Sequence, residues 1–183
     1  MADNLNIAVI VGSLRKDSIN KKLAHAIEKM APDHVTFTHT DIGSLPLYNQ
    51  DDDANQAESV KAFKKIVEDA DGIIIVTPEY NRSVPGVLKN ALDSASRPSG
   101  QNSWNGKPAA MIGLSPGKMG TALSQQHLRN ISVGLGLKLM GQPEAYLQNS
   151  EGFLTEDGDI GPQSHDFVKA WLDKAVAWFE KMK

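Results

Sequence analysis

Short, unbroken runs of apolar residues recur along the chain and predict buried β-strands. The clearest runs are residues 7–11 (I-A-V-I-V) and 73–77 (I-I-I-V-T), in which polar and apolar residues do not alternate. Parallel strands that are covered on both faces typically show this pattern. Weaker candidates are residues 109–114, an alternating edge strand at 35–39, and a last strand that opens at 137–140.

Between these runs, apolar residues recur at the three- and four-residue spacing of amphipathic helices. Four such segments extend from Ile19 to Met30, Val60 to Ala70, Val84 to Ala95 and Phe167 to Met182. Pro32 ends the first helix. In the last helix, we expect the buried side to consist of Phe167, Trp171, Ala175, Trp178 and Met182.

The alternation of single strands with single helices predicts one α/β domain, residues 1–183, on a parallel sheet with right-handed crossovers. Five such units in 183 residues fit a flavodoxin-like three-layer sandwich, whose five-stranded sheet has the order 2-1-3-4-5. In that architecture, ligands bind beyond the carboxyl ends of the strands, between the first and third strand. Three loops are therefore expected to form the site, beginning at Gly12, Pro78 and Ser115.

Composition and charge exclude several classes of protein. A formal net charge of −3 and a pI near 5.9 argue against a nucleic-acid partner, which would require a basic face. No apolar run approaches the roughly 18 residues needed to span a bilayer, and the acidic leader does not resemble a signal peptide. We therefore expect a cytoplasmic protein with no membrane partner. The chain has no cysteine, so any electron transfer must depend on an organic cofactor.

The first loop carries the polar groups that an anion requires. Ser13, Arg15, Ser18 and Asn20 follow the first strand directly. A helix that begins near Ser18 also presents unpaired backbone N–H groups and a partial positive charge. Hydroxyls, an amide and a guanidinium in this position predict a phosphate site. The simpler interpretation, that Ser18 or Asp17 only caps the helix, leaves Ser13 and Arg15 without a role.

The sequence favours a phosphate monoester over other phosphates. It contains neither the G-x-x-x-x-G-K-[ST] pattern of nucleoside triphosphate sites nor the G-x-G-x-x-G pattern of dinucleotide sites. A response-regulator receiver has the same sheet order, but it requires an acidic cluster where Gly12 and Ser13 stand. FMN carries a single dianionic monoester and fits this loop.

The second loop, residues 77–86 (T-P-E-Y-N-R-S-V-P-G), can present an aromatic or apolar wall and backbone polar groups to a flat heterocycle. Pro78 ends the strand, and Tyr80 and Asn81 follow in a turn-prone setting. Taken alone, the segment is better interpreted as a plain strand-to-helix connection, with Pro85 in the first helical turn.

The third loop, G-L-S-P-G at residues 113–117, matches the nucleophile elbow of α/β-hydrolases, and His127 and His165 lie downstream. That mechanism stabilises its oxyanion with the backbone N–H of the residue after the serine. Here that residue is Pro116, which has no N–H. The hydrolase interpretation is therefore rejected.

No metal site is expected. The chain's histidines show no metal-ligand spacing along the sequence, and we interpret each as an ordinary surface or interface residue: His25, His34, His39, His127 and His165.

Two long motifs resemble a known family. They are G-S-L-R-x-x-S-x-N at 12–20 and T-P-E-Y-N-x-S-V-P-G-x-L-K-N-A-x-D at 77–93. Shorter matches are L-P-L-Y-N at 45–49, N-G-K-P at 105–108 and S-P-G-x-x-G at 115–120. Together they resemble the NADPH-dependent FMN reductase family over most of the chain, and especially its bacterial quinone- and chromate-reducing members. The motif at 77–93 is long and specific, whereas the motif at 12–20 alone is weak.

The resemblance implies a set of flavin contacts in this chain. The FMN phosphate would be held by Ser13, Arg15, Ser18 and Asn20. The ribityl chain and isoalloxazine would be lined by Pro78, Glu79, Tyr80, Asn81 and Arg82, and the ring would also be contacted by Ser115 and Gly117. Arg82 has an alternative role, in which its charge attracts NADPH or an oxyanion acceptor.

The resemblance also implies a ping-pong reaction from NADPH or NADH to quinones, chromate or similar small-molecule acceptors. No side chain is expected to act as catalytic acid, base or nucleophile, because the flavin supplies the redox chemistry. The family forms homodimers or homotetramers, and a polar helix is the candidate contact, with Gln125, Gln126, His127 and Arg129. An electron carrier of the flavodoxin type or an FMN-binding regulatory protein remains the alternative, although a net charge of −3 is mild for a carrier.

Overall fold

Strands and helices alternate along the chain in the computed structural model, which describes residues 4–183. The strands are β1 Leu5–Val11, β2 Val35–His39, β3 Gly72–Val76, β4 Pro108–Ser115, β5 Lys138–Leu139 and β6 Tyr146–Gln148. The helices are α1 Ile19–Lys29, α2 Glu58–Asp69, α3 Gly86–Ala95, α4 Ala122–Leu135 and α5 Pro162–Met182. Two short 3₁₀ helices, Ile42–Ser44 and Gln50–Asn55, lie between β2 and α2.

The strands form a parallel sheet of order β2-β1-β3-β4-β5, which confirms the predicted topology. In its register, Val11 of β1 lies opposite Val76 of β3, and Val76 lies opposite Ile112 of β4. The carboxyl ends of these three strands are therefore adjacent at one edge of the sheet. The loops that follow them necessarily start close together.

The outer strand position beside β4 differs from the prediction of one strand at 137–140. Two short segments share it: β5 pairs with Pro108 and Ala109 at the start of β4, and β6 pairs with residues 113–115 at its end. Gly141 and Pro143 lie between the two segments. Because proline has no N–H and glycine weakens a strand, the ladder is interrupted there.

Helices cover both faces of the sheet, and each face has its own hydrophobic core. Ile7 and Val9 of β1 pack into the cluster beneath α1 and α5. Ala8 and Ile10 pack into the cluster on the other face, beneath α2, α3 and α4. The unbroken apolar runs are thus buried on both faces, as the sequence predicts.

The buried face of α5 is rotated from the one expected. Phe167 and Met182 are exposed, and Trp178 is only half-buried. The buried residues are Val168, Trp171, Leu172, Ala175, Val176 and Phe179. Both sets follow the 3.6-residue period of a helix and share Trp171 and Ala175. At 100° per residue, the centre of the buried set is rotated by roughly 70° around the helix axis from the centre of the expected set. Among residues 4–183, no helix combines the length and the apolar character needed to cross a bilayer.

Candidate functional site

The loops after β1, β3 and β4 enclose two adjoining cavities at the carboxyl edge of the sheet. Their volumes are about 240 Å³ and about 310 Å³, and Glu79 and Ser115 line both. The first cavity is lined by Ser13, Arg15, Ser18, Ile19, Asn20, Pro78, Glu79, Tyr80, Leu114, Ser115 and Pro116. The second is lined by Glu79, Asn81, Arg82, Ser115, Gly117, Lys118, Met119 and Gly120. Every residue named for the flavin site thus lines one cavity or the other.

The inner end of the first cavity presents hydroxyls and the start of α1. Ser13 and Ser18 are both buried. Ser18 is the N-cap of α1, and its Oγ accepts a hydrogen bond from the Lys21 N–H at 3.3 Å. The hydroxyl hydrogen of Ser18 is not used by this cap. Capping the helix and donating to an anion are therefore compatible roles for the same side chain.

Arg15 lies on the exposed rim of this cavity. Among residues 4–183, no carboxylate forms a salt bridge with its guanidinium. An unpaired arginine beside two serine hydroxyls and a helix N-terminus forms a donor set suited to a phosphate.

Asn20 has a structural role in addition to the one predicted. It is buried, its Nδ2 donates to the Leu114 carbonyl at 2.8 Å, and its Oδ1 accepts from the Leu114 N–H at 2.9 Å. β3 pairs with β4 only as far as Ile112, and this pair of bonds takes the place of a strand neighbour for Leu114 on the side opposite β6. The same bonds fix the start of α1 against the third loop, so Asn20 positions the part of the first cavity in which the phosphate is predicted.

The second loop folds into a two-residue hairpin turn. The N–H groups of Tyr80 and Ser83 donate to each other's carbonyls at 3.1 and 3.0 Å. The central residues, Asn81 and Arg82, have φ angles of +49° and +65°, as in a type I′ turn. Positive φ is unusual for arginine, so the turn holds Arg82 in a strained conformation beside the second cavity. Tyr80 is 50% exposed, which leaves part of its ring available to a ligand.

The carboxylate of Glu79 caps the start of α4. Its Oε2 accepts from the Leu123 N–H at 2.9 Å and from the Ser124 N–H at 3.2 Å, and its side chain is only 7% exposed. The helix has no side-chain cap of its own, since Thr121 at the N-cap position makes no such bond. A negative charge is also favourable at this end of a helix. Glu79 therefore joins the second loop to α4.

The third loop is arranged as a binding loop and not as a nucleophile elbow. Ser115 Oγ accepts from the Gly117 N–H at 3.2 Å. His127 lies 2.9 Å from Ser83 Oγ, and His165 is paired with Asp166. Both histidines are bonded elsewhere, so neither serves as a general base for Ser115.

The polar face of α4 is less exposed than expected. Gln125 is fully buried, and its Nε2 donates to the Ala145 carbonyl at 2.8 Å. Gln126 and His127 are exposed, and Arg129 is half-buried in a salt bridge with Glu144 at 3.3 Å. Gln125 therefore cannot contribute to a subunit contact, whereas the contact through Gln126 and His127 stays a prediction.

Tyr146 of β6 closes the far side of α4. Its hydroxyl accepts from Gln126 Nε2 at 3.3 Å. Burial raises the pKa of Tyr146, and its interaction with Glu144 raises it further. The phenol is consequently neutral near pH 7 and serves as a hydrogen-bonding group between β6 and α4.

A larger cavity, of about 1080 Å³, lies at the opposite edge of the sheet. Its wall includes Lys64, Glu68, Asn102 and Lys107, and Lys107 directly precedes β4. It is open and lies away from the carboxyl ends of the strands. In a doubly wound sheet, the chemistry is expected at the smaller pair of cavities.

Comparison with known proteins identifies the family. The family model for NADPH-dependent FMN reductase matches residues 5–152. The chain belongs to this family. It is an NAD(P)H-dependent flavin oxidoreductase, as the resemblance implied.

Individual relatives of this FMN reductase cover almost its whole length. The chain is 53% identical to a 2-hydroxy-1,4-benzoquinone reductase of Burkholderia sp. over 175 residues, which is 95% of this chain and 96% of the relative. It is 41% identical to a quinone reductase of Pseudomonas putida over 179 residues, 97% and 96% of the two chains. FerB, a flavoenzyme NAD(P)H:(acceptor) oxidoreductase from Paracoccus denitrificans, has a solved structure with 46% identity and a TM-score of 0.93, covering 97% of this chain and 98% of its own.

The cavities of this FMN reductase fit the cofactor chemically. One end of the first cavity offers the hydroxyls of Ser13 and Ser18 and the charge of Arg15, which suit a dianionic monoester. The other end offers the flat surfaces of Pro78 and Tyr80, against which a tricyclic ring can pack.

Lys118 is the site residue that sequence reasoning missed. It is exposed and lines the second cavity together with Arg82. The signal was present, because Lys118 directly follows Gly117 in the third loop. The sequence does not show, however, that the third loop lies against the hairpin turn, which is what places Lys118 beside Arg82.

Proposed function

We propose that this FMN reductase transfers two electrons from NAD(P)H to quinones by a ping-pong reaction: quinone + NAD(P)H + H⁺ → hydroquinone + NAD(P)⁺. The main support for this proposal is the pair of adjoining cavities. One contains the buried hydroxyls of Ser13 and Ser18, and the other is lined by Arg82 and Lys118. Because the ligands would share the one opening between these cations, it favours a reaction in which the reductant binds and leaves before the acceptor binds. The two relatives described above that are named as quinone reductases support a quinone as the acceptor.

The phosphate end of the site is proposed to hold FMN through Ser13, Ser18 and Arg15. The two hydroxyls donate hydrogen bonds, and the guanidinium adds a charge-assisted contact. Since Asn20 and Ser18 fix the start of α1 and both serines are buried, the two hydroxyls are already in place before the ligand binds. Preorganisation of this kind lowers the entropic cost of binding.

The hairpin turn and the third loop are proposed to bound the ring. When bound, FMN accepts a hydride from the nicotinamide and delivers electrons to the acceptor. Pro78 and Tyr80 provide packing surfaces, and Gly117 leaves room for close approach, because a Cβ there would meet only Ser115 Oγ, at 3.6 Å. Backbone N–H groups of the two loops are suited to stabilise negative charge on the ring.

The open end of the site is proposed to attract anionic substrates. Arg82 and Lys118 line the second cavity together with one acid, Glu79. The Glu79 carboxylate accepts from the start of α4 and also forms a salt bridge with Arg82 at 3.4 Å, so the two cations still exceed the one acid by a single charge. Cations at such an opening raise the local concentration of NAD(P)H. The same charges support chromate, an oxyanion, as a further acceptor.

Steady-state kinetics with purified, FMN-saturated protein test the proposal. We expect turnover with NADPH or NADH and 1,4-benzoquinone, and parallel lines in double-reciprocal plots at several fixed quinone concentrations. Intersecting lines would show that both substrates bind together and would exclude the ping-pong order. Absence of any turnover with FMN bound would instead favour the carrier or the regulatory protein.

A further inference from the structure

Two imidazoles and a carboxylate meet on the surface between α1 and β2, outside the flavin cavities. His25 and Glu28 are one turn apart on α1, and His39 is the last residue of β2. Glu28 Oε2 lies 3.0 Å from His39 Nε2 and 3.5 Å from His25 Nδ1. One potential ligand atom from each residue lies within 4.8 Å of the others. We call these residues the His25–Glu28–His39 cluster.

The sequence analysis expected no metal site because the histidines show no ligand spacing. The helix alone offers only two ligands, His25 and Glu28, at a separation of three residues. The third, His39, comes from the strand that follows α1 and pairs with β1 opposite Val9. The three-ligand set is therefore created by the packing of α1 beside β2, and no short motif encodes it.

We propose that the His25–Glu28–His39 cluster binds one divalent transition-metal ion of the Zn²⁺ class, with water in the remaining positions. Imidazole nitrogen and carboxylate oxygen are ligands that suit zinc, copper and nickel. Metal–ligand bonds of about 2.0–2.1 Å place neighbouring ligands of a tetrahedral zinc ion about 3.4 Å apart. The two distances from Glu28 Oε2 to the imidazole nitrogens, 3.0 and 3.5 Å, are close to this value, and all three ligand atoms lie within 4.8 Å of one another.

The surroundings leave the site accessible. The side chains of His25, Glu28 and His39 are 63%, 41% and 31% exposed, so waters can complete the coordination and small rotations can adjust it. The two rings are 4.6 Å apart between centroids, at an interplanar angle of 32°.

The charges nearby largely offset each other. Lys21 and Asp41 line a cavity of about 260 Å³ that also borders His25, His39 and Ser13. An ion in the cluster would connect the middle of α1 to the end of β2. Because α1 carries Ser18 at its start, the ion would stabilise the helix that forms the phosphate end of the flavin site.

The chain provides a matched comparison in His34. Its Nε2 lies 3.0 Å from Glu180 Oε1, the same distance as in the cluster, and the pair is partly exposed. In the part of the chain that the structure describes, no second histidine or acid joins this pair as a third ligand. Replacing His34 should therefore have no effect on metal binding, whereas replacing His25 or His39 should weaken it.

Calorimetric titration of FMN-saturated protein with Zn²⁺, after treatment with a chelator and its removal, tests the site. We expect one Zn²⁺ per chain, with at least ~10-fold weaker binding in His25→Gln and His39→Gln and unchanged binding in His34→Gln, since losing a ligand should cost at least as much as losing an outer-shell partner. Co²⁺ should give visible absorption that the same two variants lose. Zn²⁺ in large excess should raise Tm on the order of 5 °C in the wild type and His34→Gln only.

Retained circular dichroism and FMN affinity in the variants show that they are folded. No saturable binding to the wild type, or equal binding in His25→Gln, His39→Gln and wild type, would overturn the proposal. Loss of binding in His34→Gln would place the ion at Glu180 instead and would also overturn it.

Discussion

Arg15 combines three features at the residue scale: it is exposed, it lines the first cavity, and no carboxylate in the described part of the chain forms a salt bridge with it. A surface arginine usually finds an acidic neighbour, and an exposed pair of that kind is worth little. Here Arg15 instead lines the same cavity as the buried Ser13 and Ser18. Its most favourable partner is an anion supplied by a ligand.

Arg15→Ala is expected to weaken FMN binding by about 1.5–3 kcal/mol, the usual contribution of a hydrogen bond to a charged group. Quenching of FMN fluorescence during equilibrium titration measures the effect. Lys16→Ala is the control, because Lys16 is an exposed cation of the same loop that lines neither cavity. Equal affinities of Arg15→Ala and Lys16→Ala would show that Arg15 does not contact the phosphate.

Glu79 illustrates how one element positions another. It lies in the loop after β3, yet its carboxylate accepts from two N–H groups at the start of α4. Through this contact, the hairpin turn that holds Tyr80 is fixed against the helix that follows the third loop. Two of the three site loops thus share one polar connection, and this connection sets the width of the second cavity.

Glu79→Ala is expected to lower the free energy of unfolding by about 1–3 kcal/mol, because two part-buried N–H groups at the start of α4 lose their acceptor. Glu79→Gln should cost less, since an amide oxygen can still accept while only the charge at the helix end is lost. Urea unfolding at saturating FMN measures both. Glu58→Ala is the control, because Glu58 lies exposed in the first turn of α2. The reverse order, with Glu79→Gln the more damaging, would contradict the capping role.

The same elements show what the sequence can and cannot predict. The two-sided burial of β1 and β3 follows from the apolar runs, because periodicity is a local signal. The strand order follows from the alternation of single strands and helices, which fits few sheet topologies. The loops of the site follow as well, since strand ends of a parallel sheet share one edge. The capping of α4 by Glu79 and the cluster formed by His25 and His39 join residues that are distant or unrelated in sequence, so no local pattern reveals them. The prediction of the buried face of α5 was wrong for another reason. Apolar residues occur on two neighbouring faces of this helix, and only its packing against the sheet determines which face is buried.

At the scale of the whole molecule, the charge of the site opposes that of the chain. The formal net charge is −3, yet Arg15, Arg82 and Lys118 line the two cavities. The one acid among their walls, Glu79, bonds to the start of α4 through Oε2 and pairs with Arg82 through Oε1 at 3.4 Å, so cations still outnumber acids in the two cavity walls. A negative body with a positive opening should guide anionic substrates to the site and repel them elsewhere.

The double variant Arg82→Ala/Lys118→Ala is expected to lower kcat/KM for NADPH about tenfold at low ionic strength, within the range of electrostatic steering. The loss should be smaller with NADH, which lacks one phosphate, and smaller for both near 0.15 M salt, where charges are screened beyond about 8 Å. Initial rates over a range of salt concentrations measure these effects. Lys174→Ala, which removes an exposed cation of α5 outside both cavities, should leave the salt dependence unchanged. If the double variant kept the wild-type salt dependence with NADPH, the opening between Arg82 and Lys118 would not be the route by which the reductant enters.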